Sequence, residues 1–183
     1  EWKWNYFTSS PDDARKWQGG DNCNLAIGQG DLLVTCLQMA NAYCGIANRG
    51  PIYKPHVLKS INARNGNGSV IEYKNEVILS PEEKDEHRDI VARGLYGVVY
   101  EESASQTIHW TNLDVTVNGK TGTAEQQSTC EPVGWFVGYA PSDKPQYVVA
   151  ANLDCAPSGA GSGMYIVRDV FGAIYNQPDN VGR

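Results

Sequence analysis

Apolar positions recur at helical spacing in three stretches of the chain. Leu37, Ala40, Tyr43 (or Cys44) and Ala47 fall on one face of a helix expected to begin near Thr35. Thr35 and Gln38 have the S/T-x-x-E/Q spacing of a capping box, which would satisfy two orphan N–H groups. Asn48-Arg49-Gly50-Pro51 supplies a stop, with Gly for a left-handed cap and Pro just beyond. A second helix is expected to open at Ser80-Pro81-Glu82-Glu83, with Ser as cap and Pro in the first turn. Its apolar stripe is Ile90, Val91, Leu95, Val98 and Val99. A third helix is expected over about 162–175, from Ile166, Val167, Val170, Phe171 and Ile174.

Shorter runs of β-formers predict strands over 55–61 and 70–74, joined by a turn that contains Asn65-Gly66-Asn67-Gly68. Three more are expected over 113–120, 134–140 and 146–153. The last two flank a tight connection, 141–145, and so read as an antiparallel hairpin. Residues 1–23 read as an irregular lead-in with exposed tryptophans (Trp2, Trp4, Trp17), 24–176 as the folded portion and 177–183 as a tail. No internal repeat and no low-complexity segment is present.

Composition narrows the class. At 183 residues and 20.0 kDa, with 41% hydrophobic and 20% charged residues, the chain can bury a core and is neither disordered nor collagen-like. A net charge of −6 with scattered Lys and Arg leaves no electrostatic footprint for nucleic acid. No apolar run approaches the length of a membrane span. The first residue is Glu1 rather than Met, so an excised piece or a processed product is expected. Five cysteines (Cys23, Cys36, Cys44, Cys130, Cys155) include no C-x-x-C, and His56, His87 and His109 are far apart. A zinc site is not expected, and nothing calls for another metal or a cofactor.

The sharpest chemical signal is Lys120-Thr121-Gly122-Thr123, at the end of an expected strand and before polar, loop-like residues. Glycine lets a ligand approach the backbone closely. A cation and two hydroxyls beside it can hold a carboxylate. Strand N–H groups can donate to a developing oxyanion. Gly119-Lys120-Thr121 superficially matches the end of a phosphate-binding P-loop, but that motif needs Gly at position 114, which is Asp114, and a helix after the Lys. On four residues alone, a Lys- and Thr-rich strand end without function stays open.

The wider context decides between them. Asn24-Leu25-Ala26-Ile27-Gly28-Gln29-Gly30, Leu33-Val34-Thr35 and the run from Leu37 to Tyr43 are followed by Ala47-Asn48, Gly50 and Tyr53-Lys54-Pro55-His56-Val57. Gly94-Leu95, Val98-Val99, Lys120-Thr121-Gly122-Thr123-Ala124-Glu125 and Trp135-Phe136-Val137-Gly138-Tyr139-Ala140-Pro141 come next. These blocks, in this order, closely resemble the penicillin-binding protein transpeptidase domain, and the Ile-Gly-Gln-Gly form is most similar to the class B, monofunctional members. K-T-G-T-A is that family's third motif.

The resemblance implies an α/β (α+β) fold: part of a β-lactamase/transpeptidase-like architecture, with antiparallel strands and packed helices including a C-terminal helix. It implies a serine acyl-transfer mechanism that cross-links peptidoglycan stem peptides ending in D-Ala-D-Ala and is trapped by β-lactam antibiotics. The expected location is the extracytoplasmic face of the bacterial membrane, anchored by an N-terminal segment outside this chain. Other cell-wall synthesis proteins are the expected partners. Lys120 resembles the family lysine that bridges to the S-x-N serine and makes the pocket positive. Thr121 and Thr123, around Gly122, resemble the hydroxyls that bind the substrate carboxylate. The backbone N–H of Thr123 would be half of the oxyanion hole.

The sequence departs from the family in one decisive way. No serine is followed three residues later by Lys, so the S-x-x-K nucleophile and base are absent. Ser60-Ile61-Asn62 and Tyr73-Lys74-Asn75 match the S-x-N motif only formally, because the family's second motif precedes the Gln-Gly helix rather than following it. The chain is therefore expected to be the C-terminal portion of the domain, inactive without the N-terminal part of the same protein. The alternatives are a β-lactam-sensing or binding module and a catalytically dead cell-wall scaffold. Smaller departures are Cys36 in place of a common proline, and Val133-Gly134 before Trp135 where His-Ala is frequent. Trp135 and Phe136 read as core, His56 and His109 as ordinary surface or strand histidines, and Glu125 as a solvated carboxylate. Cysteine pairing stays open: the hairpin register puts position 132 opposite Cys155 and Cys130 two residues further out, which makes a Cys130–Cys155 disulfide one hypothesis, while Cys36 and Cys44, eight apart on one helix, are too distant to pair with each other.

Overall fold

The structure is a computed structural model that describes residues 3, 5, 7–64, 68–102, 108–124, 132–156 and 160–175. The chain forms two compact units, Glu1–Thr35 and Cys36–Arg183.

Within the first unit, the irregular lead-in read from the sequence contains two short helices, α1 (Asp12–Arg15) and α2 (Gly19–Ala26). Gln18 and Asp21 cap α2 reciprocally, a device that the glycine-rich composition hides. Lys3 Nζ lies 2.7 Å from Asp21 and 3.3 Å from Asp31. Trp17 is half-exposed, and its indole N–H donates to Asn22 Oδ1 at 2.8 Å.

The second unit is an α/β (α+β) assembly. Helix α3 (Cys36–Ala47) leads into β1 (Ile52–Tyr53), β2 (Ser60–Asn62), β3 (Ser69–Glu72) and β4 (Val77–Leu79). These strands form two small antiparallel ribbons, β1 with β4 and β2 with β3. Helix α4 (Asp85–Tyr100) and a 3₁₀ turn (Trp110–Asn112) follow. Then come β5 (Asn118–Ala124), β6 (Val133–Ala140), β7 (Tyr147–Leu153) and helix α5 (Ala160–Ile174). Strands β5, β6 and β7 make one antiparallel sheet in that order.

Several sequence expectations need correcting. The alternation over 113–117 is real, since Leu113, Val115 and Val117 are all buried, but it reports burial rather than strand pairing. The ladder begins only at Asn118, opposite Tyr139, just before β6 ends at Ala140. Residues 55–59 are likewise outside any strand, and β2 begins at Ser60. Helix α4 begins at Asp85 rather than near Ser80, where the Glu83 carboxylate accepts from the Lys84 N–H at 3.0 Å and pairs with His87. The last helix begins at Ala160.

The core lies where α5, β6 and the segment before β5 meet. Phe136 and Phe171 are wholly buried with Met164, Val167, Trp110 and Val117. The apolar stripe of α5 is rotated from the one read in sequence: Met164, Val167 and Phe171 face inward, while Ile166 and Val170 stay partly exposed. Gly163 allows that close seat, since a Cβ there would come 3.0 Å from the Phe136 backbone nitrogen. Arg168 is also buried, and its guanidinium donates to the Ile108 carbonyl at 2.8 Å. A second cluster joins Ala47 of α3, Leu95 of α4 and Tyr139 of β6.

Candidate active site

Lys120, Thr121, Gly122 and Thr123 all lie inside β5, not past its end. They pair in register with Val137, Phe136, Trp135 and Gly134. The glycines and threonines that read as loop are what this strand requires. A Cβ at Gly119 would sit 2.4 Å from Phe136 Cζ, and one at Gly122 would sit 3.3 Å from Trp135 Cβ. Glycine at these positions lets β5 approach the aromatic side chains of β6.

Among the described residues, β5 pairs only with β6, so the motif occupies an edge of the sheet. Alternation puts Lys120 and Gly122 on one face and Thr121 and Thr123 on the other. Lys120 and Thr123 are exposed, while Thr121 and Gly122 are half-buried. The Lys120 ammonium reaches back along the strand, donating to Thr121 Oγ1 and to the Thr121 carbonyl, each at 3.2 Å. The structure thus brings a cation and a hydroxyl together on an accessible strand edge, a pairing suited to a carboxylate.

A residue the sequence reading missed supports this strand from within. Asn118 is 3% exposed; its Nδ2 donates to the Ala92 carbonyl of α4 at 3.1 Å and to the Tyr139 hydroxyl at 2.8 Å. Nearby, the Tyr100 hydroxyl accepts from the Val117 N–H at 3.0 Å and so ties α4 to the approach of β5. Burial, reinforced by Tyr139, pushes the Tyr43 phenol up to about 12.

The other sequence candidates fall elsewhere. Ser60 and Asn62 lie in the β2–β3 ribbon, and Tyr73 and Asn75 just after it, separate from the sheet that carries Lys120. His56 stacks on Tyr73 with centroids 3.6 Å apart, and His109 is an exposed residue at φ 56°. Phe136 is core, and Trp135 is half-buried beside Gly122. Cys155 is disulfide-bonded, whereas Cys23, Cys36 and Cys44 are free. Glu125 and Cys130 lie outside the described residues. A cavity of about 320 Å³ opens between the end of α3 and the start of α4, lined by Gly45, Ile46, Ile52 and Val91, and no motif residue lines it. Among the described residues no group of His, Cys, Asp and Glu side chains could hold a metal ion.

An antiparallel sheet backed by a C-terminal helix, with K-T-G-T on its edge strand, is the α/β arrangement that the sequence resemblance implies. The family model for the penicillin binding protein transpeptidase domain matches residues 6–176, and the chain belongs to that family. The match begins ahead of Asn24, where the recognisable blocks start. Among the relatives, "Peptidoglycan D,D-transpeptidase MrdA" of Haemophilus influenzae is 30% identical over 180 residues, spanning 89% of this chain and 27% of that protein. Penicillin-binding protein 2B from Streptococcus pneumoniae superposes with a TM-score of 0.76 at 24% identity, covering 90% of this chain and 28% of that one. Penicillin-binding protein A from M. tuberculosis, solved as an imipenem acyl-enzyme complex, gives a TM-score of 0.66 at 21% identity, over 89% of this chain and 35% of that one. The chain spans about a quarter of the length of the curated relatives it matches.

Proposed function

We propose that this chain is the C-terminal portion of a serine-type peptidoglycan D,D-transpeptidase, with residues 24–176 forming its part of the domain. The observation that carries the reading is Lys120 and Thr121, held together on the accessible β5 edge of a chain that belongs to this family. In the complete enzyme a serine hydroxyl attacks the penultimate D-alanine carbonyl of a stem peptide. Terminal D-alanine leaves, and an amine from a neighbouring stem peptide resolves the acyl-enzyme. Lys120 supplies positive charge for the terminal carboxylate, Thr121 and Thr123 around Gly122 supply hydroxyls for it, and the Thr123 backbone N–H stabilises the oxyanion. β-Lactams enter the same site and acylate the same serine. The imipenem acyl-enzyme of the M. tuberculosis relative supports that half of the reading.

The chain by itself holds no S-x-x-K, so it is inactive alone and works only with the N-terminal part of the same protein. No helix among the described residues is long and apolar enough to cross a membrane. The protein is proposed to act at the outer face of the bacterial membrane, anchored by a segment outside this chain and working beside other cell-wall synthesis proteins. The direct test is the coding sequence upstream of Glu1. S-x-x-K followed by S-x-N before Asn24 is the expected result. If both are absent, the fold keeps its anion-binding edge without a nucleophile, and the scaffold reading replaces this one.

A further inference from the structure

Asn118 does not fit the role of a filler. It is 3% exposed, its Nδ2 has two acceptors, and its Oδ1 is buried with no hydrogen-bond partner among the described residues. The amide orientation is fixed by chemistry. The Ala92 carbonyl can only accept, so the atom 3.1 Å from it must be the nitrogen. Leaving a buried acceptor unsatisfied carries a desolvation cost, which offsets much of what the two donated hydrogen bonds contribute. What the amide does supply is geometry. One group ties β5 to the backbone of α4 through Ala92 and to β6 through the hydroxyl of Tyr139, itself 2% exposed. Tyr139 is also the register partner of Asn118 and packs with Leu95 of α4 and Ala47 of α3. Lys120 lies two residues further along, on the same face of β5. The Lys120 ammonium has no carboxylate among its described partners to hold it, so its position depends on the strand beneath it.

We propose that Asn118 is a positioning residue for Lys120: its buried amide locks the start of β5 between α4 and Tyr139 and thereby sets where the Lys120 ammonium meets the substrate carboxylate. This rests on the function proposed above. The displacement that matters is small, since a shift on the order of 1 Å in a binding group can cost up to about a hundredfold in rate.

The test uses the full-length protein and a fluorescent penicillin. The dependence of the acylation rate on penicillin concentration separates the limiting rate from the pre-acylation dissociation constant, with thermal midpoints measured in parallel. Asn118→Ala is expected to lower the limiting rate about tenfold or more at a temperature where the variant is fully folded. Tyr139→Phe, which keeps the ring and removes one partner, is expected to give a smaller fall in the same direction. The double variant should be no slower than Asn118→Ala alone, because both changes break one clamp. A limiting rate unchanged in both single variants, with only the midpoints lowered, would make Asn118 a stability residue and overturn the inference while leaving the proposed function intact. If Asn118→Ala does not fold, Tyr139→Phe decides: an unchanged rate overturns the inference. Failure of the wild-type protein to label at all would overturn both.

Discussion

Gly119 is the position where the geometry of the K-T-G-T strand is most exposed to test. An added Cβ would lie 2.4 Å from Phe136 Cζ, 2.9 Å from Phe136 Cε1 and 3.0 Å from the Val137 carbonyl oxygen. Carbon atoms rest about 3.5–4.0 Å apart, so the ring must retreat by about 1 Å. Phe136 is fully buried, its ring centroid is 5.4 Å from that of Trp110, and it shares the core with Met164 and Phe171. There is no space for the retreat, and the carbonyl belongs to the ladder. Overpacking of this kind costs about 1–3 kcal/mol. With an ångström of displacement we take the upper end, and the smaller unfolded-state entropy of Ala returns about 0.4–1 kcal/mol. The net cost for Gly119→Ala is about 2 kcal/mol. At about 2–4 °C per kcal/mol, the transition of this domain should fall by about 4–8 °C in scanning calorimetry of the full-length protein. Gly122→Ala, whose nearest neighbour is Trp135 Cβ at 3.3 Å, is the control and should cost under about 1 kcal/mol. An unchanged midpoint for Gly119→Ala, or a larger loss for Gly122→Ala, would refute the packing argument.

Three further expectations follow from other parts of the chain. Arg168→Leu removes the donor to the buried Ile108 carbonyl and should destabilise the domain by about 1–3 kcal/mol, read as a lower urea midpoint at unchanged slope. Tyr43 has a folded-state pKa pushed up to about 12 from 10.0, so it favours the folded state below pH 10, and that contribution is lost as pH rises from there through about 12. Ultraviolet titration should show a late phenolate near pH 12 that Tyr43→Phe removes, and titration of every tyrosine near 10 would contradict this. With Cys23, Cys36 and Cys44 free, denatured protein should show three reactive thiols before reduction and five after, as a Cys130–Cys155 bridge requires. Equal counts would remove the bridge.

The three long helices and the β6–β7 hairpin were legible because their apolar pattern extends over many residues, with Asn48-Arg49-Gly50-Pro51 ending the first helix and the 141–145 turn joining the hairpin. Less was legible around the motif itself. The alternation of Leu113, Val115 and Val117 drew the expected strand too far upstream, since burial alternates there without a ladder partner. The true strand was obscured by its own glycines and threonines, which look like loop until the aromatic side chains of Phe136 and Trp135 across the ladder are known. Asn118 was missed because it falls out of phase with that alternation. Both Asn118 and Gly119 are buried, as happens where α4 covers one face of a strand and the core covers the other, and a period-two reading cannot express this. Likewise Leu37, Ile90 and Ile166 belong to stripes read from the sequence yet stand exposed, because periodicity gives a face but not what lies against it.

The most direct test of the central claim is covalent labelling of the full-length protein with a fluorescent penicillin, followed by mass mapping of the adduct. The account predicts one stoichiometric adduct, on a serine outside residues 1–183. It also predicts that Lys120→Ala, by removing one charged hydrogen-bonding group worth about 1.5–3 kcal/mol, slows labelling on the order of tenfold to a hundredfold. An adduct on a serine of this chain, no adduct at all, or a Lys120→Ala variant that labels as fast as the wild type would contradict it.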